Sequence, residues 1–337
     1  MQAARRLFDQ VNDNRTGRQT GLCFIAVVGL LLFVGALRVH GDAAGHSGAQ
    51  QRKVLDQKKN FCPEPATEPI KRPDAWWEPF SQKLAAEVAA SDAHQGSSLV
   101  FYGDSITETW RGTDGGHPCA RCADVPEVFQ EYFGSQYSTA VLAVGGDQAM
   151  HQLWRMQHGE IFQKHQPHIA IVMIGTNDLG AAGCLGKGEA PILQAAAGTA
   201  DRVREVIDFL HQQNPLTHVL ILGLLPRGSS PEDQFKLPSD YSRGIAAIND
   251  HLERYAFGNK QLHFVDCALP FTAGGKLSKD LMPDALHPNA AGMRLLAECI
   301  LPFLKLYAPW PLDIFGTYAR DRLFVLHRPR LFNRQSC

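Results

Sequence analysis

The ten residues FYGDSITETW, 101–110, decide how the rest of the chain is read. The apolar run Leu99-Val100-Phe101-Tyr102 stops at Gly103 and then presents Asp104-Ser105. A serine placed there can be a nucleophile held at the end of a strand, or a polar residue capping the helix that follows. The rest of the chain separates these readings. SLVFY (98–102), AVLAV (140–144), IAIVMI (169–174), HVLILGL (218–224) and LHFVD (262–266) are short and almost wholly apolar, as expected of parallel strands covered on both faces. Between them lie helical patterns. In TADRVREVIDFLHQQ (199–213), Val203, Val206, Ile207 and Leu210 recur at i, i+3, i+4, i+7 with charges on the other face. SRGIAAINDHLERYA (242–256) and NAAGMRLLAECILPFLKLY (289–307) predict two more helices. This alternation predicts a three-layer α/β domain with right-handed crossovers, over residues 74–308.

Ligands of such folds meet the carboxyl ends of the strands. Gly103-Asp104-Ser105 follows the first strand, Gly145-Gly146-Asp147 the second and Gly175-Thr176-Asn177-Asp178 the third; Asp284-Ala285-Leu286-His287-Pro288 precedes the last helix. Each piece alone is an ordinary turn. Together they supply the parts of acyl transfer. A serine hydroxyl needs a base, which His287 can be; Asp284, three residues earlier, can fix the imidazole tautomer. A tetrahedral intermediate needs N–H donors, which the Ser105 and Gly146 backbones and the Asn177 amide can offer. Asp147 and Asp178 read as turn-stabilising carboxylates. Arg227 reads either as a headgroup contact or as one half of a structural salt bridge.

The chain before this domain is different. Residues 1–20 carry four arginines, and GLCFIAVVGLLLFVGAL (21–37) has no charge. That length is near the lower limit of a spanning helix, and the basic start favours an uncleaved signal anchor over a signal peptide cut within HGDAAG (40–45). The expected layout is a cytoplasmic N-terminus, a single transmembrane helix and a polar stalk, 38–73. The catalytic domain then faces the secretory-pathway lumen or the exterior; cleavage instead makes it a secreted protein. Residues 309–337 form an extension of no assigned role. With 337 residues and a net charge of −1, nothing global points to nucleic acid. His117-Pro118-Cys119-Ala120-Arg121-Cys122 has no second Cys/His pair at zinc spacing, so no metal is expected. Trp76 and Trp77, in DAWWEPF, read as packing residues of the helix that leads into the domain.

The blocks GDS, GGD, GTND and DALH, in that order, resemble those of the SGNH (GDSL-type) hydrolase superfamily. The stretches GGDQAMHQLWRMQHGEIFQKHQPHIAIVMIGTND and VLILGLLPRG are similar to the catalytic subunits of intracellular platelet-activating-factor acetylhydrolase. The resemblance covers about residues 97–306. It implies a flavodoxin-like α/β/α sandwich on a five-stranded parallel sheet, with Ser105 as nucleophile, His287 as base and Asp284 as its partner. It implies an oxyanion hole of Ser105, Gly146 and Asn177, no cofactor, and an acyl pocket kept small by Ile106, Thr176 and Leu286. The implied function is a serine esterase acting on small, acetyl-type esters of a lipid or glycan. An acyltransferase using a sugar hydroxyl as acceptor, or a catalytically silent membrane-anchored binding module, are the rival readings. Subunit pairing in the resembling enzymes admits a homodimer, which no residue here specifies. Two insertions set this chain apart, 111–126 and 181–191. Both follow site motifs and are expected to rim one mouth, so Cys119 or Cys122 is expected to pair with Cys184.

Overall fold

The computed structural model describes residues 62–308, apart from 187 and 230–232. The span expected at 21–37, the stalk as far as residue 61 and the extension from 309 lie outside the described residues. Among the described residues no helix is long and apolar enough to cross a membrane.

Five parallel strands form the sheet: β1 (Leu99–Gly103), β2 (Thr139–Ala143), β3 (Ile169–Met173), β4 (His218–Leu222) and β5 (Leu262–Val265), in the order β2-β1-β3-β4-β5. The register sets Gly103 level with Ala143 on one side and Met173 on the other. Successive side chains of a strand point to opposite faces, and the two cores follow that alternation. Val100, Tyr102, Leu142, Val172 and Ile221 face one layer, packed by α1 (Trp77–Asp92), α4 (Ala149–Gln157), α6 (Glu189–Gln213) and α7 (Ser242–Ala256). Leu99, Phe101, Val141, Ile171 and Leu222 face the other, packed by α2 (Ser105–Glu108), α3 (Val125–Phe129) and α8 (Ala290–Tyr307). A further helix, α5 (Thr176–Leu185), follows β3. The expected three-layer arrangement and all five strands are present.

Three features depart from expectation. Residues 62–73 are not free stalk: Ala66 is buried, its N–H donates to Gln148 Oε1 at 2.9 Å, and Gln148 Nε2 donates to the Glu64 carbonyl at 2.7 Å. The insertion at 181–191 is largely helical, because α5 runs to Leu185 and α6 begins at Glu189, ten residues before the amphipathic stretch. The cysteines pair as Cys62–Cys184, Cys119–Cys122 and Cys267–Cys299. The expected bond from 119 or 122 to Cys184 is therefore not formed. Cys119 and Cys122 bracket one short 3-10 turn and reach each other across it, while the 62–73 segment brings Cys62 to the end of α5.

Candidate active site

Ser105 is the first residue of α2, at the carboxyl end of β1. The Asp104 carboxylate caps that helix by accepting from the Ile106 N–H at 3.0 Å. The strand must end in glycine: a Cβ on Gly103 would lie 2.3 Å from Thr107 Oγ1 and 2.5 Å from the Met173 carbonyl. Asp104 is buried, which pushes its carboxyl up to about 7; Asp147 and Asp178 add to the rise, and the Ile106 N–H and Arg227 oppose it.

His287 arrives from the loop before α8, whose first turn is capped by Asn289 accepting from Gly292 N–H at 3.1 Å. The Asp284 carboxylate folds this loop around itself. Its Oδ1 accepts from the N–H groups of Leu286, at 3.1 Å, and His287, at 2.7 Å, while Oδ2 lies 2.7 Å from His287 Nδ1. Ala285, at φ 58°, takes the left-handed conformation this fold-back requires, at a cost of about 1 kcal/mol. His287 Nε2 is 2.9 Å from Ser105 Oγ, so Ser105, His287 and Asp284 are joined in one continuous chain of hydrogen bonds. Partial burial by itself would raise the Asp284 carboxyl. The hydrogen bonds from the His287 ring and backbone, with the Leu286 amide, instead hold it well below the usual carboxylate range.

Gly146 sits at φ 82° in a turn closed by Asp147 N–H donating to the Val144 carbonyl at 3.1 Å. Asn177, in the first turn of α5, donates through Nδ2 to the Asp147 carbonyl at 3.0 Å, which places it beside that turn and leaves its second amide hydrogen unspent. Asp147 and Asp178, expected to stabilise their own turns, instead tie those turns to other elements. Asp147 accepts from Trp77 Nε1 at 2.6 Å and from Arg155 Nε at 2.8 Å; Asp178 accepts from the Ala149 N–H at 3.0 Å and from Arg202 Nε at 3.1 Å. Burial alone would lower the Arg155 guanidinium, but Glu160 and Asp147 together hold it up and charged. Ile106 and Thr176 are buried and Leu286 is half-buried. Arg227 has no ion-pair partner among the described residues. It donates to the Thr176 carbonyl at 2.9 Å and stacks over Tyr241 at 4.2 Å.

Two residues that matter here carried no expectation. Glu108 is fully buried; its Oε1 accepts from Thr113 Oγ1 at 2.7 Å and Gly116 N–H at 2.8 Å, and its Oε2 from Gly145 N–H at 2.6 Å and Gly115 N–H at 2.9 Å. It thereby ties the 111–126 insertion to the turn that carries Gly146. Arg72 Nη1 donates to the Gly145 carbonyl at 2.7 Å. The one sequence signal for Glu108 is its place three residues after Ser105, on the same short helix.

A parallel sheet whose strand ends gather Ser, Gly, Asn and an Asp-x-x-His loop defines an acylhydrolase scaffold. The model of the GDSL-like Lipase/Acylhydrolase family matches residues 101–295, and the chain belongs to that family. It is 25% identical over 229 residues to platelet-activating factor acetylhydrolase IB subunit alpha1 of Bos taurus, covering 68% of this chain and 84% of the relative. A stretch of 105 residues, 31% of this chain and 39% of the relative, is 30% identical to subunit alpha2 of Gallus gallus. A Bacteroides fragilis protein described as an acylhydrolase shares the fold at a TM-score of 0.50 and 20% identity, covering 70% of this chain and 99% of its own.

Proposed function

We propose that this acylhydrolase is a serine esterase that removes small acyl groups, acetyl above all, from a lipid or glycan. The observation that carries the reading is the unbroken relay from Ser105 Oγ through His287 to Asp284, at 2.9 and 2.7 Å. In it, His287 Nε2 takes the Ser105 proton as Oγ attacks the ester carbonyl, and Asp284 stabilises the imidazolium. The N–H groups of Ser105 and Gly146 and the Asn177 amide receive the oxyanion. Collapse of the intermediate sends the proton from His287 to the departing alcohol, and water then repeats the cycle on the acyl-enzyme. Ile106, Thr176 and Leu286 limit the acyl group. The sequence at 21–37 supports a signal anchor that holds the domain on the lumenal or outer side of a membrane.

The test is hydrolysis of p-nitrophenyl acetate, butyrate and octanoate by the chain and by its Ser105→Ala and His287→Ala variants, made in an oxidising host. Acetate preference, abolished in both variants, is expected. Turnover that survives Ser105→Ala removes the mechanism, and preference for octanoate removes the small acyl pocket. Transfer to an added sugar hydroxyl in preference to water would make the enzyme a transferase.

A further inference from the structure

The Gly145-Gly146 turn poses a problem of orientation. The carbonyl of Gly145 and the N–H of Gly146 belong to one planar trans peptide, so they point in opposite directions. In a turn with a glycine at φ 82° in its third position, that central peptide can rotate between two turn types at little steric cost, and the rotation reverses the N–H. Two glycines in succession make the turn permissive. Something outside it must choose.

Arg72 stands at that place. Its Nη1 donates to the Gly145 carbonyl at 2.7 Å, and the same nitrogen lies 2.8 Å from where a Cβ on Gly146 would be. Holding the carbonyl on the Arg72 side turns the Gly146 N–H away from it. The N–H makes no hydrogen bond to any other described residue. Arg72 is itself fixed, by Asp74 at 2.8 Å, by Asp147 at 3.6 Å and by the Trp76 ring at 5.2 Å. The two carboxylates compensate its charge, so what it contributes to the turn is direction. The segment bearing it is fastened by Cys62–Cys184 and by the two Gln148 hydrogen bonds. Cys184 lies on α5, the helix that carries Asn177.

We infer that Arg72 is a positioning residue of the esterase reaction, which sets the Gly145–Gly146 peptide so that the Gly146 N–H meets the developing oxyanion. The inference rests on the reading of Gly146 as an oxyanion donor. It makes the segment before the domain part of the catalytic apparatus.

The experiment measures kcat and KM for p-nitrophenyl acetate with the full chain, for the parent, Arg72→Met, Arg72→Lys and Ser105→Ala. Met keeps the apolar stem against Trp76 and lacks the donor; Lys restores a donor. Loss of one oxyanion donor costs about 100- to 1000-fold in kcat. A peptide that still samples the right orientation part of the time should cost less, roughly 10- to 100-fold in Arg72→Met, with KM within about twofold and most of the loss recovered in Arg72→Lys. Circular dichroism confirms that each variant is folded. Parent-like kcat in folded Arg72→Met overturns the inference, and so does a loss carried in KM. If Arg72→Met does not fold, Asp74→Asn, which frees one side of the guanidinium, decides with Arg72→Lys as the variant that keeps a donor: a kcat loss in Asp74→Asn beside near-parent kcat in Arg72→Lys supports the inference, and any other pattern overturns it. Ser105→Ala separates the two levels. Activity in that variant removes the serine reading and this inference with it, whereas an inactive Ser105→Ala beside a fully active Arg72→Met removes the role of Arg72 alone.

Discussion

Glu108→Gln replaces one carboxylate oxygen by an NH2 group and alters little else in shape. Both oxygens of Glu108 are engaged, each by two donors, at distances from 2.6 to 2.9 Å. An amide can satisfy only one of those pairs and must turn its own hydrogens toward the other. Hydrogen bonds to a charged group contribute about 1.5–3 kcal/mol each, so losing two costs about 3–6 kcal/mol. The site is fully buried, and water cannot substitute. Total stability of a domain is about 5–15 kcal/mol, so the loss is large. Urea denaturation followed by circular dichroism gives it directly, as a lower midpoint at unchanged slope. Below the unfolding range the variant should also turn over more slowly, because the amide that faces Gly145 no longer accepts its N–H in one of the two placements. A stability change under about 1 kcal/mol would refute the reasoning, since it would mean that the four donors are not tied to the carboxylate charge.

Other perturbations give separate readouts. Asp284→Asn should lower kcat about 10⁴-fold with little change in KM, through loss of the tautomer that points His287 Nε2 at Ser105; a loss under tenfold would remove Asp284 from the relay. Burial pushes the Asp104 carboxyl up to about 7, from near 3.9 in the unfolded chain, so the folded state holds the extra proton between those values and stability falls as pH rises across them, by on the order of 4 kcal/mol. Asp104→Asn should flatten that slope in pH-dependent denaturation, and an unchanged slope would show that another group carries it. The Asp284 carboxyl, held low, has the opposite sign. It contributes stability above about pH 4, which is lost as pH falls below that value, and Asp284→Asn should remove this acid-side loss. Cys62→Ser opens a bond between residues 122 apart, which a chain-entropy account sets at about 5 kcal/mol, against about 2 kcal/mol for the Cys119–Cys122 link across three residues. Equal losses in the two single variants would contradict that account.

The strands were legible because burial on both faces leaves a continuous apolar run, and Ser105, Asp284 and His287 because each follows or precedes an element that the same pattern locates. Asn177 and Gly146 were legible for the same reason. The structure joins them through the Asp147 carbonyl and the closure of its turn. Residues 62–73 were not legible. What binds them is a disulfide, an arginine and one glutamine side chain, and none of these has a period along the sequence. The first ten residues of α6 escaped because the buried face between Ile192 and Val203 is made of Ala196, Thr199 and Ala200, small residues that stand out little from the exposed alanines, although alanine favours a helix. Cysteine pairing depends on distance in space. The expectation that placed Cys119 or Cys122 beside Cys184 located Cys184 near the mouth and missed Cys62, because the segment bearing it read as stalk.

The bond between Cys62 and Cys184 closes a covalent ring around Ser105, Gly146 and Asn177, while Asp284 and His287 lie outside it. A protease that nicks the chain anywhere within that ring, in the 111–126 insertion for instance, leaves both fragments joined. Such a nicked molecule would migrate as one band until a reductant is added, and its nucleophile and oxyanion donors would remain tethered to the base they serve.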